Sequence, residues 1–362
     1  MNITRPTIME IDLNAFNHNI KEIKKYIGTS KEIMPVIKAN AYGTHINKRL
    51  DIINKFNIVA VAITDEALEL RHLGYNKEIF ILNQPYIEEL DKIIEYDITI
   101  GLSSKEFLND LIKINKPIKV HLEIETGMNR TGININELND YIKIIKQNPN
   151  IKVTGIYTHL SSADNDIDYT NNQLEIFKNA LNITKENFNT IKYIHTSASN
   201  GLLNFKEDFT NLTRPGIIMY GYESFDGVKN IINLKPVAKL KSKITFIKEV
   251  PKNTSIGYNR SYTTAKTTTI ATIPIGYADG LRRELSNKGH VIINNTIVPI
   301  IGKVCMDSFM ADITNLENVH IGDDVYIWDN DLITLEEISK NCNTINYEIL
   351  STISERVPRK FI

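Results

Sequence analysis

The sequence predicts an α/β protein, an N-terminal (β/α)8 barrel followed by a C-terminal all-β domain. Three observations carry this. Between residue 33 and about residue 219, eight short β-rich runs alternate with segments of helical period, the pattern of βα units around a parallel sheet. After about residue 235 the helical segments give way to β-rich stretches broken by Gly, Asn and Asp. The length, 362 residues, suits a large barrel or two domains with a sizeable core. The expected division is 1–235 for the barrel and 236–362 for the β-domain.

The runs, in order, are IMPVIK (33–38), NIVAVA (57–62), EIFIL (78–82), DITIG (97–101), IKVHLEI (118–124), KVTGIYT (152–158), KYIHT (192–196) and RPGIIMY (214–220). Eight strands with helices between them favour a closed barrel over an open sheet. INELNDYIKIIKQ and NNQLEIFKNALNI are the clearest helices, because their apolar residues recur at three and four. VAKLKSKITFIKEV, TTTIATIPIG, HVIINNTIVPIIGKV and DDVYIW supply the later strands.

Lysine plus arginine number 42 and aspartate plus glutamate 43, so the balance gives no electrostatic reason to expect nucleic acid or an anionic membrane as partner. Small-molecule chemistry is the expectation. Cys305 and Cys342 have neither the number for a disulfide framework nor a CxxC spacing for zinc. MNITRPTIMEID lacks the apolar core of a signal peptide, and no apolar stretch approaches the roughly 20 residues that span a bilayer. A cytoplasmic location is expected.

Active sites of such barrels collect at the C-terminal ends of the strands. There the sequence places Lys38, Arg130 and Thr131, His159, Ser199, Arg214 and Gly216. Lys38 has two readings: a surface residue that snorkels from a strand end, or a half-buried amine whose lowered pKa suits it to a Schiff base. In strand five, His121, Glu123 and Glu125 alternate with Val120, Leu122 and Ile124 and share the face opposite the helices. Charges there need partners, and Arg130, a few residues on, is the expected local one. SASNG (197–201) and RPGI (214–217) offer a hydroxyl and open amides where barrels often hold phosphate. A phosphate site facing a Schiff-base lysine points to pyridoxal 5'-phosphate, which needs both handles.

With these residues in view, the sequence resembles the alanine racemases, pyridoxal-phosphate enzymes with an N-terminal barrel and a C-terminal β-domain. The likeness runs over nearly the whole chain: PVIKANAYG (35–43), HLEIETGMNRTG (121–132), GIYTHLSSAD (155–164), TRPGIIMYG (213–221), IPIGYADG (273–280), GKVCMDSFM (302–310) and NYEILSTISERVPR (346–359). The resemblance implies that Lys38 binds the cofactor and is one catalytic base, while Tyr258 is the other. It implies that Arg214 faces the pyridine nitrogen, and that Tyr42, Ser199, Gly216, Ile217 and Tyr347 hold the phosphate. Arg130 and the Met306 backbone would receive the substrate carboxylate, with His159 beside the ring. Tyr277, Arg282 and Asp164 match positions along the access corridor, and Glu123 and Asp307 match supporting ones. The family's tyrosine base and methionine come from a partner subunit, so a head-to-tail homodimer with shared sites is implied, as is D-alanine supply for peptidoglycan.

Three departures stand out. Glu123 replaces a lysine that is often carbamylated, Asn259 replaces the glycine after the catalytic tyrosine, and Thr44 and His45 replace His-Gly. A carbamate and a carboxylate both present an anion, and Asn tolerates left-handed backbone better than most residues. Rival readings are a racemase of broader specificity acting on serine or other amino acids, an amino-acid decarboxylase of related architecture, and a non-catalytic cofactor-binding protein.

Overall fold

The computed structural model describes residues 4–362; the first three residues of the N-terminal stretch read for a signal peptide lie outside it. Six parallel strands form the unbroken part of the barrel: Ile58–Val61, Glu78–Ile81, Thr99–Leu102, Ile118–Glu125, Ile151–Tyr157 and Tyr193–His195. Ile58–Val61 and Thr99–Leu102 are buried at every position, which is why they read as continuous apolar runs. Helices Thr64–Leu73, Lys105–Ile114, Leu138–Lys146 and Ile167–Asn187 cover the outside. The last two contain the segments whose period marked them as helices.

The ring closes through shorter pieces. Glu32–Ile33 pairs in parallel with Leu212–Thr213, and Pro35 interrupts the first strand before Val36 bridges to Ala60. Pro35 has no N–H to give, yet its carbonyl accepts from Ala60 N at 2.9 Å. On the other side, Asn211 joins the seventh strand with its own amide on the Ile194 carbonyl at 3.1 Å and its Oδ1 accepting from Ile194 N at 2.9 Å.

Two expectations are corrected here. RPGIIMY is not the eighth strand, which precedes it; Ile217–Tyr220 is a 3-10 turn. Its apolarity reflects complete burial of Ile217, Ile218, Met219 and Tyr220, not sheet pairing. Lys38 likewise does not end a strand but opens the short turn Lys38–Tyr42.

The C-terminal sheet runs, in spatial order, through Phe246–Val250, Thr268–Ile273, Phe309–Asp312, Thr296–Ile301, His290–Ile293, Asp324–Trp328, Ala238–Lys243, Ile8–Ile11 and Arg359–Phe361. It is antiparallel except at its last pair, Ile8–Ile11 with Arg359–Phe361. Residues 8–11, placed with the barrel by the division at 235, thus pair with the second domain. That domain also carries two helices, Leu335–Asn341 and Asn346–Ser351. The second lies on the turn Lys38–Tyr42, with the rings of Tyr347 and Tyr42 5.9 Å apart. One hydrophobic cluster runs through both domains, from Phe16 and Phe80 to Phe309 and Trp328. No helix among the described residues is long and apolar enough to cross a membrane.

Candidate active site

A cavity of about 300 Å³ opens at the C-terminal ends of the barrel strands, and Lys38, Tyr42, Arg130, His159, Ser199, Arg214, Gly216 and Tyr347 line it together with Glu123 and Asp164. Lys38 reaches it from an unusual backbone. Ala39, Asn40, Ala41 and Tyr42 all have φ between 51° and 56°, a left-handed turn that costs roughly 1–2 kcal/mol per residue for side chains with a Cβ. Hydrogen bonds hold it. Ala39 N donates to Glu66 Oε1 at 2.5 Å, Gly43 N to the Ala39 carbonyl at 2.8 Å and Thr44 Oγ1 to the Ala41 carbonyl at 2.6 Å. The departure at Thr44 therefore closes the turn, and His45 pairs with Glu355 at 3.0 Å. Burial, then the Arg130 charge, push the Lys38 amine below its ordinary range against the pull of Glu66. That favours the Schiff-base reading over a snorkelling lysine.

Arg214 is 2 % exposed. Its Nη2 donates to the Thr158 and Thr196 carbonyls, each at 2.8 Å, and reaches His159 Nδ1 at 3.3 Å. Its Nη1 donates to His195 Nδ1 at 2.8 Å. Among the described residues no carboxylate pairs with it within 4.0 Å. Burial lowers its pKa to about 10, so it stays a cation at neutral pH. Burial and the Arg214 charge hold His159 neutral, with a pKa of about 3.

Ser199 Oγ accepts from Gly216 N at 3.1 Å, and the Ile217 amide has no acceptor among the described residues. A Cβ on Gly216 would lie 2.3 Å from the Tyr42 hydroxyl, so that phenol reaches the cradle only because residue 216 is glycine. These groups fit pyridoxal phosphate on this structure's own terms. The cavity has an amine of lowered pKa, a buried cation without a carboxylate, and a hydroxyl-and-amide cradle.

The expected pairing of the strand-five carboxylates with Arg130 is not what forms. Buried Glu123 accepts from Thr131 Oγ1 at 2.9 Å, and Glu125 accepts from the amides of Gly127 and, at 2.8 Å, Asn129. The loop folds back on its own carboxylate, and Arg130 is left exposed. Burial raises the Glu123 pKa.

Arg282 pairs with Glu348 at 3.1 Å and Asp307 with Arg356 at 2.7 Å. Tyr258, Met306 and Tyr277 are 68 %, 52 % and 44 % exposed and lie outside the cavity lining. Asn259 adopts φ 57°, ψ 15°, within the left-handed region its residue type tolerates. Sequence reading missed three contributors. Glu66 lies in the first turn of Thr64–Leu73, His195 is one polar residue in a short strand and Gln173 sits within Ile167–Asn187, and no local pattern singles any of them out. The Gln173 side chain is fully buried and joins Thr126 Oγ1 at 3.1 Å to the His159 carbonyl at 3.3 Å and Ser161 N at 3.0 Å.

Comparison with known proteins agrees along the full length. Residues 11–224 match the family model "Alanine racemase, N-terminal domain" and residues 237–361 match "Alanine racemase, C-terminal domain". An alanine racemase of Methanococcus maripaludis is 40% identical over 99% of this chain and 100% of its own. The solved alanine racemase of Clostridium difficile superposes with a TM-score of 0.93 at 34% identity, covering 100% of this chain and 97% of the other. That of Bacillus anthracis with bound L-Ala-P gives the same score and identity, covering 100% and 96%. The chain belongs to the alanine racemase family.

Proposed function

We propose that the protein interconverts L- and D-alanine with pyridoxal 5'-phosphate, as a homodimer whose two sites each draw residues from both copies. The observation that carries this is one cavity lined by an amine of lowered pKa, Lys38, and a buried cation, Arg214. The relatives support the substrate, since structures of similar proteins are described with L-Ala-P and with cycloserine. When bound, pyridoxal phosphate makes the α-hydrogen of an attached amino acid acidic.

This chain's residues do the rest. Tyr42, Ser199, Tyr347 and the Ile217 amide would hold the phosphate, with the Gly216 amide, which donates to Ser199 Oγ at 3.1 Å, free to turn to it. Arg214, a cation, would face the ring nitrogen and disfavour its protonation. His159, neutral, would lie beside the ring, and Arg130 would receive the substrate carboxylate. Lys38 Nζ takes the α-proton on one face and Tyr258 of a second copy returns one on the other, because inversion needs two acid–base groups on opposite faces. The Met306 backbone of that second copy would receive the substrate carboxylate together with Arg130, while Tyr277, Arg282 and Asp164 would line the corridor with Asp307, paired to Arg356, in support. The product is D-alanine for cell-wall peptidoglycan, made in the cytoplasm.

A panel of L-amino acids incubated with the purified protein in deuterium oxide and resolved by chiral chromatography tests the reading. D-alanine carrying deuterium at Cα is expected to exceed D-serine. Release of carbon dioxide without racemisation, or no deuterium uptake from any substrate, would overturn it.

A further inference from the structure

His121 faces the barrel interior, and the reaction above gives it nothing to do. It is fully buried, as is His195, and the two rings are joined, His121 Nδ1 to His195 Nε2 at 3.0 Å. His195 Nδ1 in turn meets Arg214 Nη1 at 2.8 Å. The direction of each bond follows from what the groups can donate. Arginine has donors only, so His195 Nδ1 is an acceptor. A neutral imidazole then carries its proton on Nε2, which donates to His121 Nδ1. The proton of His121 is thereby placed on Nε2, an atom buried with no partner among the described residues.

The surroundings enforce neutrality and position. Burial comes first, and the charges that act on His121, those of Arg214, Lys192 and Lys119, are all cationic. Phe80 stacks on the ring at 4.5 Å, and the Tyr157 ring lies parallel to His195 at 5.0 Å. Gly155 makes the room, since a Cβ there would stand 2.5 Å from His121 Cδ2.

We propose that His121 is a positioning residue whose Nδ1 fixes the tautomer of His195 and so holds the Arg214 guanidinium at the cavity wall. Without that acceptor, His195 is free to move its proton to Nδ1. Two donors would then face each other across 2.8 Å, and Arg214 would be driven from its place. A buried N–H at the far end of the chain is the cost of this polarity.

Neutron diffraction from deuterium-exchanged crystals of the full-length, cofactor-loaded protein reads the tautomers directly. Deuterons are expected on Nε2 of both His195 and His121 and on neither Nδ1; a deuteron on His195 Nδ1 would overturn the proposal. The functional consequence rests on the racemase reading, whereas the neutron result does not, so the two can fail separately. In kinetics, His121→Asn keeps an acceptor oxygen where Nδ1 stood, and His121→Phe keeps the ring without one. His121→Phe should lower kcat at least tenfold with KM for alanine within threefold, while His121→Asn stays within threefold of the unmodified kcat. Equal losses in both folded, cofactor-loaded variants, or none in His121→Phe, would remove the role. Should His121→Phe not fold, the neutron maps decide.

Discussion

Lys38 shows how the site's electrostatics are set residue by residue. Burial and Arg130 act against its charge, and only Glu66 acts for it. The histidines around Arg214 follow the same logic without any carboxylate to offset it. His121 and His159 have pKa values of about 3, and that of His195 is pushed well below the ordinary range. Between those values and the ordinary histidine value near about 6.5, the unfolded chain binds protons that the folded chain refuses. The stability these groups contribute is therefore fully present above the ordinary value and is lost as pH falls toward the folded ones. The slope is up to about 1.4 kcal/mol per pH unit for each group. Glu123, whose pKa is raised by burial, has the opposite sign, contributing below the ordinary carboxylate value and losing it as pH rises. Urea unfolding at pH 7, 6 and 5 should show a steady loss of stability, with a shallower slope in His121→Asn. An unchanged slope would mean that His121 is protonated in the folded state.

Among the elements, the turn Lys38–Tyr42 carries the most strain. Ala39 is exposed with φ 51°, so no packing offsets its left-handed backbone. Glycine at this position would remove the Cβ penalty of about 1–2 kcal/mol against a loss of roughly 0.5–1 kcal/mol in chain entropy. Ala39→Gly should therefore leave stability unchanged or raise it by up to about 1.5 kcal/mol in urea unfolding. In an ordinary helix the same change destabilises. A loss of more than about 1 kcal/mol would show that the turn is not strained at Ala39. None of this was legible in PVIKANAYG, because Ala and Asn do not announce a left-handed run. What was legible depended on local pattern. Strands such as Ile58–Val61 and Glu78–Ile81 appeared as apolar runs because they are buried on both faces. RPGIIMY misled because a buried 3-10 turn is as apolar as a buried strand. The pairing of Ile8–Ile11 with Arg359–Phe361 joins the two ends of the chain, and no local pattern can report it. At the site, Lys38, Ser199, Arg214 and Gly216 could be brought to one cavity from the sequence, whereas Glu66 and Gln173 act through contacts that only the fold creates.

At the scale of the whole molecule, the proposed reaction needs more than the cavity of one chain holds. The cavity holds the amine, the cradle and Arg214, but Tyr258 stands on a different part of the surface, 68 % exposed on the 3-10 turn Tyr258–Arg260. Met306 and Tyr277 are exposed near one another, their loops joined by Ala278 N donating to the Met306 carbonyl at 3.0 Å. An acid–base pair on opposite faces of one α-carbon requires Tyr258 to approach Lys38, and within one chain Tyr258 is not among the residues that line the cavity. In the dimer proposed above a second copy would supply it, and the exposure of Tyr258, Met306 and Tyr277 on one domain would be that of an unpaired interface. Complementation tests this sharply. Lys38→Ala and Tyr258→Phe proteins are each expected to be inactive in racemisation. Mixed under conditions of proven subunit exchange, half of the dimers formed at random from equal amounts are mixed, and each mixed dimer holds one site with both residues intact. One site in two within half of the dimers predicts recovery to roughly a quarter of the unmodified activity per subunit, by the statistics of random pairing. Sites built within single chains would instead leave every subunit lacking one base, and the mixture would stay inactive at any ratio.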